Sequence, residues 1–169
     1  SERIDNIHGA AMDAARNLRL DEAKRLLRDA RTILRDEKLR PVLEQNAQLM
    51  IAEAEIELLD QNPDSAFRLL SAAADSFASI DPLEPARRRA DFEDLLFDHG
   101  RRYPGRALDL AKRLVRDALA ACSRESDAEL WARLQNNLGN ALNELANRTG
   151  DSATYKEAIS AFRAAQEVY

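Results

Sequence analysis

Cysteine occurs once in this chain of 169 residues, at Cys122. A single thiol excludes an internal disulfide framework and fits a reducing compartment, so the expected location is cytoplasmic. Histidine occurs only at His8 and His99, without metal-ligand spacing to each other or to Cys122, and no metal site is expected. The five glycines are scattered, which excludes a glycine-rich phosphate loop. Aromatic residues make up only 5% of the chain, arguing against a β-sandwich. No apolar run approaches the ~18 residues of a membrane span. A net charge of -5 disfavours general nucleic-acid binding. Cys122 has no base to activate it, and Glu53, Glu55 and Glu57 alternate around a helix rather than converge. No enzyme activity and no cofactor are expected.

What is abundant is alanine, with apolar residues at helical spacing. Hydrophobic residues make up 45% and charged residues 33%, the balance of a folded soluble chain. A first stripe runs through Ile4, Ile7, Ala11, Ala14, Ala15 and Leu18. Asn17–Asp21 reads as a turn, with Asp21 as cap of a second helix containing Ala23, Leu26, Leu27, Ala30, Ile33 and Leu34. Pro41 is expected to open a third helix. Asn62-Pro63 supplies a cap and a first-turn proline for a fourth. Asp81–Glu84 and Ser126–Glu129 read as capping boxes opening the fifth and seventh. The sixth holds Ala107, Leu110, Ala111, Leu114, Val115 and Ala118, and the eighth starts near Ser152. Gly9 and Gly139 fall inside helices, where close approach of a neighbouring helix is the expected compensation for ~1 kcal/mol of lost propensity.

The expected fold is therefore all-α, with eight helices and no strand. Paired, they make about four antiparallel hairpins, over approximately residues 3–36, 41–80, 82–124 and 127–169 of one domain, 1–169. A small residue stands near the start of each second helix, at Ala23, Ala66, Ala107 and Ala158, at intervals of 43, 41 and 51 residues. A helix-pair repeat of that length points to a solenoid. The start at Ser-Glu-Arg-Ile-Asp and the stop inside a helical pattern lead us to expect a fragment of a longer protein. Ile159, Phe162 and Val168 are expected to lack a covering helix, which suggests self-association through the uncapped C-terminal helix.

Leu138-Gly139, with Ala158, Phe162 and Ala165 spaced four and three, resembles the tetratricopeptide repeat. Ala11, Ala23, Leu27 and Ala30 keep the same register in the first unit. Asn136-Asn137-Leu138-Gly139-Asn140 before an Arg-Thr-Gly-Asp turn is similar to bacterial repeats of this family. The resemblance implies a right-handed superhelix whose concave face binds an extended peptide or a partner helix. It thus implies a protein–protein interaction scaffold. The alternative is a ligand- or peptide-sensing domain that controls an attached signalling or transcription domain.

Arg133, Asn136, Asn140 and Asn143 follow spacings of three, four and three and share one helix face. Asn both donates and accepts, so such a ladder suits a peptide backbone of any sequence; otherwise it is a solvated face. Residues 87–116 hold nine Arg or Lys against five Asp or Glu, and the expectation there is a solvated surface with ion pairs. Trp131 is expected to be a packing anchor.

Overall fold

The computed structural model describes residues 2–168, which are mostly helical, with no strand among them. The chain divides into two compact units, residues 1–45 and 46–169.

In the first unit, α1 (Glu2–Arg16) packs against α2 (Leu20–Leu34). Small residues make that contact: Ala11, Ala14, Ala23 and Ala30 are buried. The turn at residues 17–19 closes by bonds from Leu18 N–H to Ala15 O and Arg19 N–H to Ala14 O. Leu18 adopts φ 58° there. Asp21 is not the cap. It lies inside the first turn of α2, and Arg19 occupies the cap position without a capping bond from its side chain, which pairs instead with Glu22.

The expected break before Pro41 is absent. A π-helical turn, Arg35–Leu39, leads without a loop into α3 (Arg40–Leu59), so eight α-helical segments make seven separate helical runs. Arg40 N–H bonds to Arg35 O, five residues back. Pro41 has no N–H to give, and the widened turn lies immediately before it, so the helix continues past the proline. Residues 40–45 of α3 belong to the first unit and the rest to the second.

In the second unit, α4 (Pro63–Asp75) is capped by Asn62, whose side chain accepts from Ser65 N–H. A 3₁₀ turn (Ser76–Ser79) follows, then α5 (Glu84–Arg102), α6 (Ala107–Ala121), α7 (Ala128–Thr149) and α8 (Ser152–Gln166). Helix α5 packs on α6, α6 on α7 and α7 on α8; α4 also touches α5 and α6, and α5 touches α7. Phe77, Leu70, Leu96, Leu108, Leu114 and Leu134 are fully buried side chains of this core. Cys122 belongs to it too, and burial pushes its thiol up from the ordinary value.

Neither expected capping box forms. At Asp81–Glu84 the helix starts at Glu84 itself, and Asp81 Oδ1 accepts instead from Leu83 N–H at 2.7 Å. The Glu84 carboxylate faces forward because Arg87 and Arg88 hold it at 3.3 and 3.0 Å. At the start of α7 the cap is Asp127, accepting from Leu130 N–H at 3.0 Å. Ser126 is engaged in reciprocal bonds with Ser123.

The glycines differ in purpose. A Cβ at Gly139 would meet the Phe162 ring at 2.6 Å, the close approach expected of it. Gly9 has nothing within 4 Å, so no close neighbour explains it. Gly150 ends α7 in the left-handed conformation, φ 70°, where glycine avoids the Cβ clash. Of the apolar residues near the C-terminus, Ile159 is exposed, whereas Phe162 and Val168 are half-buried.

Candidate partner-binding surface

Side chains of α7 reach across to α5 and tie the two helices together. Arg133 donates to Arg87 O at 3.3 Å, Asn137 to Ala90 O at 3.3 Å, and Arg148 to Arg101 O and Tyr103 O at 2.9 and 3.3 Å. The residue separations stay between 45 and 47 along the whole seam. A constant separation requires the two helices to run in the same direction. The last two bonds fall on carbonyls at the end of α5, which have no intrahelical partner.

Ion pairs fix the other end of this seam. Arg133 pairs with Asp91 at 2.9 Å, and Arg87 with Asp127 at 3.2 Å. The hydrogen bond from Leu130 N–H, and then Arg87, hold the Asp127 carboxyl below the usual carboxylate range. Arg87, Asp91, Asp127, Glu129, Leu130 and Arg133 line a polar cleft of about 320 Å³. The arginine run behaves as ion-paired surface: Arg88 stacks 4.3 Å above the Phe77 ring, and Arg89 meets Asp75 at 2.6 Å. Trp131 is half-buried against a cluster that includes Ala86, Val115 and Leu134, as a packing anchor should be.

Arg133, Asn136, Asn140 and Asn143 are all exposed on α7. At 100° per residue they fall within an arc of about 80°. Their situations differ. Arg133 is engaged with α5, whereas Asn136, Asn140 and Asn143 find no hydrogen-bond partner among the described residues. Asn147 continues the same face one turn further and accepts from the Tyr155 hydroxyl. The four-residue step from Asn143 was the signal for it. Asn137, adjacent in sequence to Asn136, is instead a seam residue of the α5–α7 contact. What the face offers is solvent-exposed amide donors and acceptors, flanked by Arg133 and Asn147, which are engaged within the chain.

Among the described residues, no group of three or more His, Cys, Asp or Glu lies together as a metal site would require. No helix is long and apolar enough among them to cross a membrane. Comparison with family models, with curated proteins and with solved structures returns no match for this chain.

Proposed function

We propose that residues 46–169 form a stretch of tetratricopeptide-like solenoid that serves as a protein–protein interaction module. An extended peptide or partner helix docks along the α7 face that carries Asn136, Asn140 and Asn143, with Arg133 at one end. The observation that carries this reading is the set of three exposed amides on one face without a partner in the chain. Each can both donate to and accept from a peptide backbone.

Repeat geometry supports the scaffold half of the reading. Ala66, Ala107 and Ala158, the small residues that set the repeat interval, are all buried. Polar side chains link successive hairpins: Arg106, at the cap of α6, meets Asp64 of α4, and Arg116 of α6 meets Glu157 of α8. A stacked repeat buries the same small position of each unit against its neighbour.

The test is a selection of peptides from a random displayed library on the wild-type chain, followed by measurement on the Asn136→Ala/Asn140→Ala double variant. The expected result is loss of about tenfold or more in affinity, from two to three hydrogen bonds at roughly 0.5–1.5 kcal/mol each. Undiminished binding by the double variant removes this face as the binding surface.

A further inference from the structure

Two apolar stripes with opposite charge on their flanks lie on the surfaces of the two units. In the first unit, α1 and α2 enclose an open groove of about 580 Å³. Ile4, Leu27 and Leu34 supply its apolar lining; Lys24, Arg28 and Arg31 border it on α2, against Asp5 and His8 on α1, so cations outnumber the single carboxylate. These three cations form no ion pair among the described residues. Leu27 and Leu34 remain 40% and 50% exposed, and Leu20 continues the seven-residue spacing at 53%. On α2 the three cations fall along one side of that leucine line, and the buried Ala23 and Ala30 fall on the other.

In the second unit, α3 shows the complementary pattern. Leu49 and Ile56 are 68% and 65% exposed at the same seven-residue spacing, with Leu59 also exposed. Its opposite face is already buried through Ala47, Ala54 and Leu58, so the outer stripe is a second apolar face. Glu53 and Asp60 flank it on one side and Glu55 on the other. From Pro41 to Phe67 the chain has six acidic residues and no Lys or Arg, whereas Lys24–Arg40 has seven basic residues and three acidic ones.

We propose that the cation-bordered groove between α1 and α2 of one copy receives the acid-flanked α3 stripe of a second copy of this chain. Both stripes repeat every seven residues, the spacing at which two helices interlock side chains along a seam. Their flanks attract each other, while stripe-on-stripe contact of two α3 helices would bring carboxylates together. Made reciprocally between the same two copies, the two contacts form a closed two-fold pair; made head to tail with different copies, the contact adds further copies.

Sedimentation equilibrium on the full chain, from micromolar to millimolar concentration, tests this. The expected mass exceeds the single-chain 19.0 kDa increasingly with concentration, and less so in high salt. Two charge reversals follow, Lys24→Glu/Arg28→Glu/Arg31→Glu and Glu53→Lys/Glu55→Lys/Asp60→Lys. All six residues are exposed, and helical circular dichroism verifies that each variant is folded. Each alone is expected to associate roughly tenfold or more weakly, from the loss and inversion of several surface charge pairs. Mixed together they are expected to associate again, because reversed stripe then meets reversed groove. Ile159→Ser, at the exposed C-terminal helix, is expected to change nothing. A single-chain mass throughout the wild-type range overturns the proposal. So does association that survives both reversals, fails to return on mixing, or disappears in Ile159→Ser.

Discussion

The ring of Phe162 in α8 lies so close to the Gly139 backbone in α7 that a methyl group at residue 139 would sit 2.6 Å from ring atom Cε1. Two helices can approach this way only where one lacks a side chain. Gly100 makes a second such contact, within 2.8 Å of the backbone nitrogen of Leu108 for a hypothetical Cβ. Gly9 makes none.

Three alanine substitutions therefore separate by sign and size. Gly9→Ala is expected to stabilise by about 0.5–1 kcal/mol through helix propensity alone. Gly139→Ala destabilises by about 1–2 kcal/mol, since overpacking outweighs the propensity gain and the ring yields partly. Gly100→Ala destabilises more, because a backbone atom cannot rotate away. Urea unfolding of the three variants gives the order, and any other order refutes the packing argument.

Glu93 governs the pH dependence. It is 2% exposed, and its Oε1 atom has no hydrogen-bond partner among the described residues. Burial, reinforced by Asp94 and Asp98, pushes its carboxyl up to about 8 from a reference of 4.5. Between those values the folded chain holds a proton that the unfolded chain has released. Stability from this group is thus complete below pH 4.5 and declines as pH rises toward 8, by on the order of a few kcal/mol. Glu93→Gln, which keeps the shape without the charge, should flatten that decline and raise the melting temperature at pH 8. An equally steep profile in the variant would exclude Glu93 as its source.

Asp127 works in the opposite direction and in two capacities. It caps α7 through Leu130 N–H and pairs with Arg87, and its folded value lies below the ordinary one. Its contribution is present above the unfolded value and is lost as pH falls through the folded one. Asp127→Ala should cost about 0.5–2 kcal/mol. Asp127→Asn should retain most of the cap and lose the acid-side dependence. Thermal melts of the wild type and both variants across pH 3 to 7 check this. Asp127→Asn against wild type reads the charge, and Asp127→Ala against Asp127→Asn reads the cap. If the acid-side profile of Asp127→Asn stays as steep as that of the wild type, Asp127 is not its source.

Gln61 holds φ 60° in the turn between α3 and α4. For a residue with a Cβ that conformation costs roughly 1–2 kcal/mol. Gln61→Gly is expected to raise stability by somewhat less than this, because glycine also gains freedom in the unfolded chain. A lower unfolding midpoint would contradict it.

Local signals were the legible ones. Asn62-Pro63 and Gly150-Asp151 each determine a helix boundary with adjacent residues, and both behave as their chemistry dictates. Pro41 misled for a local reason too. Proline serves equally at a helix start and after a widened turn, and no Gly or Asn stop lay upstream to distinguish them. The Asn136–Asn140–Asn143 face was readable from the helical period alone. The engagement of Arg133 was not, since its partners Asp91 and the Arg87 carbonyl lie 42 and 46 residues away. Nothing in the immediate sequence distinguishes Asn137, which bridges two helices, from Asn136, which faces solvent.

The seam between α5 and α7 is written unevenly. On one side stand three particular side chains, Arg133, Asn137 and Arg148; on the other, main-chain oxygens at Arg87, Ala90, Arg101 and Tyr103 receive them, with the Asp91 carboxylate as a side-chain acceptor for Arg133. Main-chain oxygens are the same whatever residue bears them. For these bonds α5 can therefore change its sequence freely as long as it remains a helix of this length, while α7 cannot. A designer wishing to graft a new helix beside α7 would have to match a length and a direction, the charges at Arg87 and Asp91, and the small buried residues at Ala86 and Ala90.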